Sequence, residues 1–190
     1  MVTQGMGAAH EPDWVREVLA FWFGELGPKQ WFSKSDDLDA RIRLRFGALH
    51  AQLLATQAAG VEGLRPVQAA VIVLDQFSRN LFRDDKRAFA GDPVARRLAR
   101  TVVDAGADAT LPPEQRMFLY LPFEHSESLA DQELSMRLYT RLGNEAWTRY
   151  AKAHHDLIAR FGRFPHRNKV MGRESTAEET EAMSGPMGHF

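Results

Sequence analysis

Apolar residues recur along this chain at intervals of three and four, and that spacing restricts the fold to helices buried along one face. The clearest run is Leu38, Ile42, Phe46, Leu49 and Leu53, on a helix that Ser35 caps and Gly60 ends. No strand-like alternation persists. Proline and glycine punctuate the pattern where helices start and stop. A first helix is predicted over Pro12–Phe23 and stopped by Gly24, with Trp14, Val15, Val18, Leu19, Trp22 and Phe23 leaving it little polar surface. Trp31 and Phe32, past a Gly27-Pro28 turn, cover its end. The next helix begins near Pro66 and buries Val67, Ala70, Val71, Leu74, Phe77 and Leu81.

Asp92-Pro93 opens a helix through Leu98, Val102 and Val103. Pro112-Pro113 opens another through Met117, Phe118 and Leu121, which Pro122 closes. Leu134, Leu138 and Leu142 mark a further helix. After Gly143-Asn144 comes the last long one, with Trp147, Tyr150, Ala151, His154, Leu157, Ile158 and Phe161. Ser175-Thr176 followed by Glu178-Glu179 fits a capping box, opening a short terminal helix. The reading is an all-α single domain over residues 12–183, with seven to eight helices joined by short turns that favour antiparallel hairpins. Flexible ends are expected at 1–11 and 184–190.

The length of 190 residues suits one core. A formal net charge of -1 gives no global field toward nucleic acid or an anionic membrane, so neither is an expected partner. The most apolar stretch, Val67–Leu74, is too short to cross a bilayer. Without cysteine, disulfides, thiolate catalysis and thiolate-ligated zinc are excluded. Met1–His10 has neither the basic start nor the apolar stretch of a signal peptide, so a cytoplasmic location is expected.

Three segments place polar residues against this pattern. On the most apolar helix, Asp75 and Arg79 stand four apart and can pair, while Gln76, Asn80 and Arg83 form a second polar ridge. Around the predicted end at Pro122, Glu124, His125 and Glu127 can converge, and a Glu beside a His can do acid–base work. In the third segment Arg160, Arg163, His166 and Arg167 alternate with aromatics ahead of Asn168. Three arginines so close need Asp75, Glu124 and Glu127, or a bound anion, to neutralise them. Ser78 and Ser126 lie near titratable groups and give weak evidence of a nucleophile. His154 falls on an apolar stripe, and no helical His-x-x-x-His spacing supports a metal site. No phosphate-binding glycine loop, nucleophile elbow or dinucleotide fingerprint is present, so no cofactor is implied.

The runs LDQFSRNLFR (74–83), FLYLPFEHSE (118–127) and RFGRFPHRN (160–168) resemble those of domain-of-unknown-function family 924, a bacterial family. FWF at 21–23, WF at 31–32 and GREST at 172–176 match it too, so the resemblance runs from about Trp14 to Glu179. One departure is His154-His155-Asp156, where the family often has His-Arg-Asp. The resemblance implies a tetratricopeptide-like array of stacked helical hairpins and no activity.

Three functions fit the residues. The first is a binding module for an anionic metabolite or acidic peptide: Arg163 and Arg167 grip it, with Arg79, Asn80, Arg160 and His166 completing the shell. The second is a hydrolase with His125 as general base, oriented by Glu124 or Asp75. The third is a protein-interaction scaffold, possible also as a homo-oligomer, in which Asp75, Gln76, Arg79, Asn80, Glu124 and Asn168 are a structural clamp.

Overall fold

Ser35 does what its position predicts. In the computed structural model, which describes residues 11–185, its hydroxyl accepts the Leu38 amide at 3.2 Å and starts a long helix. All regular secondary structure among the described residues is helical, with no strand. In chain order the α-helices are α1 (Asp13–Ala20), α2 (Pro28–Trp31), α3 (Asp36–Ala55), α4 (Leu64–Val71), α5 (Ser78–Leu81), α6 (Asp92–Asp104), α7 (Pro113–Glu124), α8 (Leu129–Leu142), α9 (Glu145–Phe161) and α10 (Ala177–Ser184). A π-helical turn, Ile72–Phe77, fuses α4 and α5 into one rod; another, Phe21–Glu25, extends α1. With α4 and α5 taken as one rod the described residues hold nine helices, and α2, expected only as a turn, is the addition.

The core gathers where the two π turns meet. Phe21 and Trp22 of the first lie 6.0 and 5.5 Å from Phe77 of the second, ring centre to ring centre. Phe46 of α3 closes on Phe77 at 4.9 Å, and Phe118 of α7 on Trp22 at 5.5 Å. These rings are fully or almost fully buried; all but the tilted Phe46–Phe77 pair meet edge-on, and such contacts add to what area burial supplies. The apolar cluster around them runs from Val15 to Ala151, while Leu157, Ile158 and Phe164 form a second, smaller cluster with Phe161 and Met183. Contacts between α6 and α7, α7 and α8, and α8 and α9 join consecutive helices.

Helix ends depart from expectation in three places. Gly24 does not stop the first helix: it lies inside the π turn, and the chain turns extended only at Leu26. Helix α3 stops at Ala55, ahead of Gly60, because Gln57 and Ala58 adopt left-handed backbone and the Ala58 amide returns to the Leu53 carbonyl at 2.7 Å. Pro122 does not close α7. It sits inside the helix, and the His125 amide reaches back over it to the Leu121 carbonyl at 2.8 Å. Proline there forfeits one donor, and the burial of every residue from Met117 to Glu124 holds the helix together. Asn144, Gly162 and the Thr176–Glu179 capping box act as their types predict.

Residues 1–10 and 186–190, within the segments expected to be flexible, lie outside the described residues. Glu11 pairs with Arg65 at 2.6 Å, and Ser184 is the last residue of α10. No helix of the described residues is long and apolar enough to cross a membrane.

Gly91, just before α6, lets that helix approach the rod. A methyl group added there would stand 2.3 Å from the Leu74 carbonyl oxygen, a backbone atom that cannot step aside. Gly91→Ala is therefore expected to destabilise the protein by about 1–3 kcal/mol, the range for overpacking a tight site. Urea unfolding measures this, with Gly24→Ala, where the added carbon meets nothing within 4 Å, as the control.

Candidate functional site

Asp75 lies in the π turn Ile72–Phe77, and its residue surface is wholly buried. A π turn packs more residues into one revolution than an α turn, so adjacent polar side chains can both face inward. Gln76 accordingly donates to one Asp75 oxygen while His125 Nδ1 stands 2.8 Å from the other. The predicted partner Arg79 is present too, its Nη1 3.3 Å from Asp75 Oδ1 and 2.7 Å from the Asp75 carbonyl oxygen. Arg79 makes its better ion pair elsewhere. Its two terminal nitrogens donate to both oxygens of Asp92 at 2.9 and 3.0 Å. Asp92, read in the sequence only as a helix start, is brought there by the close approach at Gly91.

Arg167 reaches the same carboxylate from the 3-10 turn Pro165–Arg167, with Nη1 3.8 Å from Asp92 Oδ2. Its guanidinium is held between the rings of Phe89 and Phe164, at 4.6 and 4.5 Å. Phe164 in turn touches His154, ring centres 5.5 Å apart, and His154 stands 6.3 Å from His125. The contacts thus close into a ring: His125, Asp75, Arg79, Asp92, Arg167, Phe164 and His154. Glu124 joins from α7, its Oε1 3.3 Å from His154 Nδ1, which also donates to the Tyr150 carbonyl. Beside Arg167 a cleft of about 670 Å³ opens, lined among others by Asp84, Lys86, Phe89, His166 and Lys169. That volume suits a small-molecule ligand.

Electrostatics follow from burial. Removal from water pushes the Asp75 carboxyl up, but Arg79, His125 and Gln76 overcome this and hold it ionised. Glu124 lacks such partners. Burial raises it to about 8, helped by the negative charge of Asp75 and opposed by a hydrogen bond from Tyr139. Near neutral pH it is therefore mainly a protonated acid. Burial also lowers His154 to about 3 and His166 to about 4, and both feel the charge of Arg167. His125 is lowered by burial and by Arg79, against the opposing pull of Asp75. Even Arg167 is brought down to about 10 by burial and by Arg79. Asp92, Glu127 and Asp75 pull it the other way.

Not every expected residue comes here. Arg160 donates to Glu178 at 2.6 and 3.0 Å. Arg163 grips both oxygens of Glu179 at 2.6 and 2.9 Å. Asn168 reaches Ser175 and the same Glu179. These three residues dock α10 onto the end of α9, and their acids are Glu178 and Glu179 in place of Asp75 and Glu124. Glu127 binds Arg173 at 2.8 and 2.9 Å and the Phe164 amide at 2.8 Å. Asn80 and Arg83 turn to Asp39 of α3, so the ridge read as Gln76, Asn80 and Arg83 divides between two partners. Ser78 lies buried against His50 Nε2 at 2.6 Å, and Ser126 donates to Asp131 at 2.7 Å. His155 stands 3.4 Å from Asp156. Among the described residues no group of three or more His, Asp or Glu is arranged to hold a metal ion.

The protonated Glu124 makes stability depend on pH with a definite sign. Below its ordinary value of 4.5 native and unfolded chains both carry the proton. Between 4.5 and about 8 the unfolded chain releases a proton that the native state keeps, so this group's contribution falls as pH rises. Glu124→Gln cannot titrate. Its melting temperature is expected to gain on that of the parent as pH is raised from about 5 to about 8, and a constant difference would show that Glu124 ionises normally.

Comparison with other proteins supplies a lineage and no activity. A family model described as bacterial protein of unknown function matches residues 18–187. A solved structure of a protein of unknown function from Agrobacterium tumefaciens superposes with a TM-score of 0.83 at 36% identity, covering 90% of this chain and 97% of that one. No curated protein matches the chain. The chain belongs to the bacterial family of unknown function DUF924.

Proposed function

We propose that this protein binds a small anion, a carboxylate or phosphate metabolite or the acidic end of a peptide, at Arg167. The observation that carries this reading is the state of that side chain. Arg167 is only 8% exposed, its Nε is buried without a hydrogen-bond partner, and the carboxylate nearest to it already serves Arg79 through both oxygens. A buried charge so poorly matched is costly unless another group completes its coordination. An anion in the adjoining cleft would do so, accepting from the guanidinium fork, with His166 on the cleft wall and the charges of Arg167, Lys86 and Lys169 outnumbering those of Asp84 and Asp85. Arg79 acts one step behind, fixing Asp92. Arg163 and Arg160, whose forks are filled by Glu179 and Glu178, and Asn80, held by Asp39, contribute through the fold. A stack of helical hairpins in the tetratricopeptide manner is part of the same reading, supported by the consecutive packing of α6 through α9.

A thermal-shift series with inorganic phosphate, citrate and an oligo-aspartate peptide tests it. A ligand at a hundred times its Kd adds about 2.7 kcal/mol, several degrees for a domain of this size. The shift is expected with the unmodified chain and with Arg160→Gln, and lost with Arg167→Gln. No shift with any anion, or one that survives Arg167→Gln, would remove the proposal.

A second reading, a structural clamp, is favoured by the complete burial of Asp75. Asp75→Ala leaves Arg79 and His125 short of their acid and is expected to cost about 3–5 kcal/mol, the range for breaking a buried pair. Denaturant unfolding decides: a loss below about 1 kcal/mol, as at exposed pairs, would speak against a clamp.

A further inference from the structure

His166 on the cleft wall feels the charge of a second imidazole, His125, which lies behind it. His125 meets the geometric requirements of a general base: its Nδ1 is tied at 2.8 Å to a buried carboxylate, while its side chain keeps 14% of its surface open. Asp75 is ionised and can only accept, so Nδ1 carries the ring proton and Nε2 is left with its lone pair. Among the described residues Nε2 makes no hydrogen bond. Asp75 is itself fixed by Gln76 and Arg79, so the imidazole cannot readily swing or change tautomer. Through Arg79 and Asp92 on one side, and His154 and Phe164 on the other, His125 belongs to the same closed ring of contacts as Arg167.

Among the described residues no serine is hydrogen-bonded to His125. The chain has no cysteine. Ser78 is wholly buried on His50, and Ser126 is buried on Asp131. Neither hydroxyl is available to attack a substrate, which leaves water as the group that His125 would activate.

We propose that the site hydrolyses carboxylic esters that carry a separate anionic group, with His125 as the general base for the attacking water. The proposal rests on anion binding at Arg167, which would hold the substrate by its charged end. Water gives a proton to His125 Nε2 as its oxygen bonds to the acyl carbon, and the carbonyl pair moves onto oxygen. The positive charge of Arg79, which His125 feels, favours that oxyanion. When it collapses, the ester C–O bond breaks and the leaving alkoxide takes the proton back from Nε2. An acid and an alcohol leave, and His125 is again neutral. The charged and titratable groups around it are Asp75 and Arg79 from the fused rod, Asp92 from α6, Glu124 on its own helix, His154 from α9 and His166 of the 3-10 turn.

The test uses the 190-residue chain with two chromogenic probes, the para-nitrophenyl monoester of glutaric acid and para-nitrophenyl acetate. The anionic ester is expected to turn over faster, with the rate falling as acid protonates His125 and falling again in heavy water. His125→Gln should lose about a hundred- to ten-thousand-fold in kcat, the usual span for general-base catalysis. Arg167→Gln should raise KM for the anionic ester more than for the acetate. If His125→Gln does not fold, the acid limb and the solvent isotope effect of the parent chain carry the test, and absence of both overturns the proposal. A folded His125→Gln with undiminished rate overturns it as well. No turnover of either ester, with the anion-dependent thermal shift intact, removes the hydrolase and leaves the binding site. Failure of both measurements removes both.

Discussion

A carboxylate cut off from water must find its solvation in the protein, and Asp75 is such a group at the centre of this fold. Its demands reach several elements at once. Gln76 answers from the same turn, Arg79 from the next turn of the rod, and His125 from the end of α7. Arg79 then needs a second acid and finds Asp92 at the start of α6; Asp92 draws Arg167 from the segment after α9. A chain of alternating charges therefore ties helices that the apolar core alone would hold in less certain register. This order also explains why His125 is fixed in one tautomer: its orientation follows from the need of Asp75 for a donor.

The neighbouring acid takes the opposite course. Glu124 stands next to His125 in sequence, yet faces His154 and Tyr139 where no cation answers it. Two carboxyl groups one layer apart thus hold different protonation states at the same pH, one ionised and one neutral. Separation of this kind is what acid–base chemistry requires of a site, and structural networks alone also produce it.

Much of the fold was legible in the sequence because its signals are local. Ser35, Asn144, Gly162 and the Thr176 box each act on amides or carbonyls a few residues away, and their types suffice. Pro122 misled for the same reason. Its local tendency is to end a helix, and the burial of α7 outweighs that tendency. The Asp75–Arg79 spacing was readable as a helical pair, but the stronger partnership with Asp92 was not. It depends on Gly91 meeting Leu74, a contact between segments that no periodicity reports. The arginines of 160–167 were visible as a cluster, whereas their division was hidden. Arg163 goes to Glu179 and Arg167 to Asp92, and the choice is made by where α10 docks. His50 and Asp39 carried no sequence signal, since each sits among ordinary residues on α3 and meets its partner only across the fold.

The π turn at Ile72–Phe77 acts as a phase shifter. By holding more residues than an α turn it rotates everything downstream about the rod axis, by about 100° for one extra residue. Removing a single residue from this stretch would leave a good α-helix and an apolar core of nearly the same composition. Yet Arg79, Asn80 and Arg83 would all point elsewhere, and Asp92 and Asp39 would lose their partners together. In this rod the count of residues is itself a specification: two ion-pair systems on separate faces are set by one insertion, so a change in helix phase would rewire both without altering a single polar side chain.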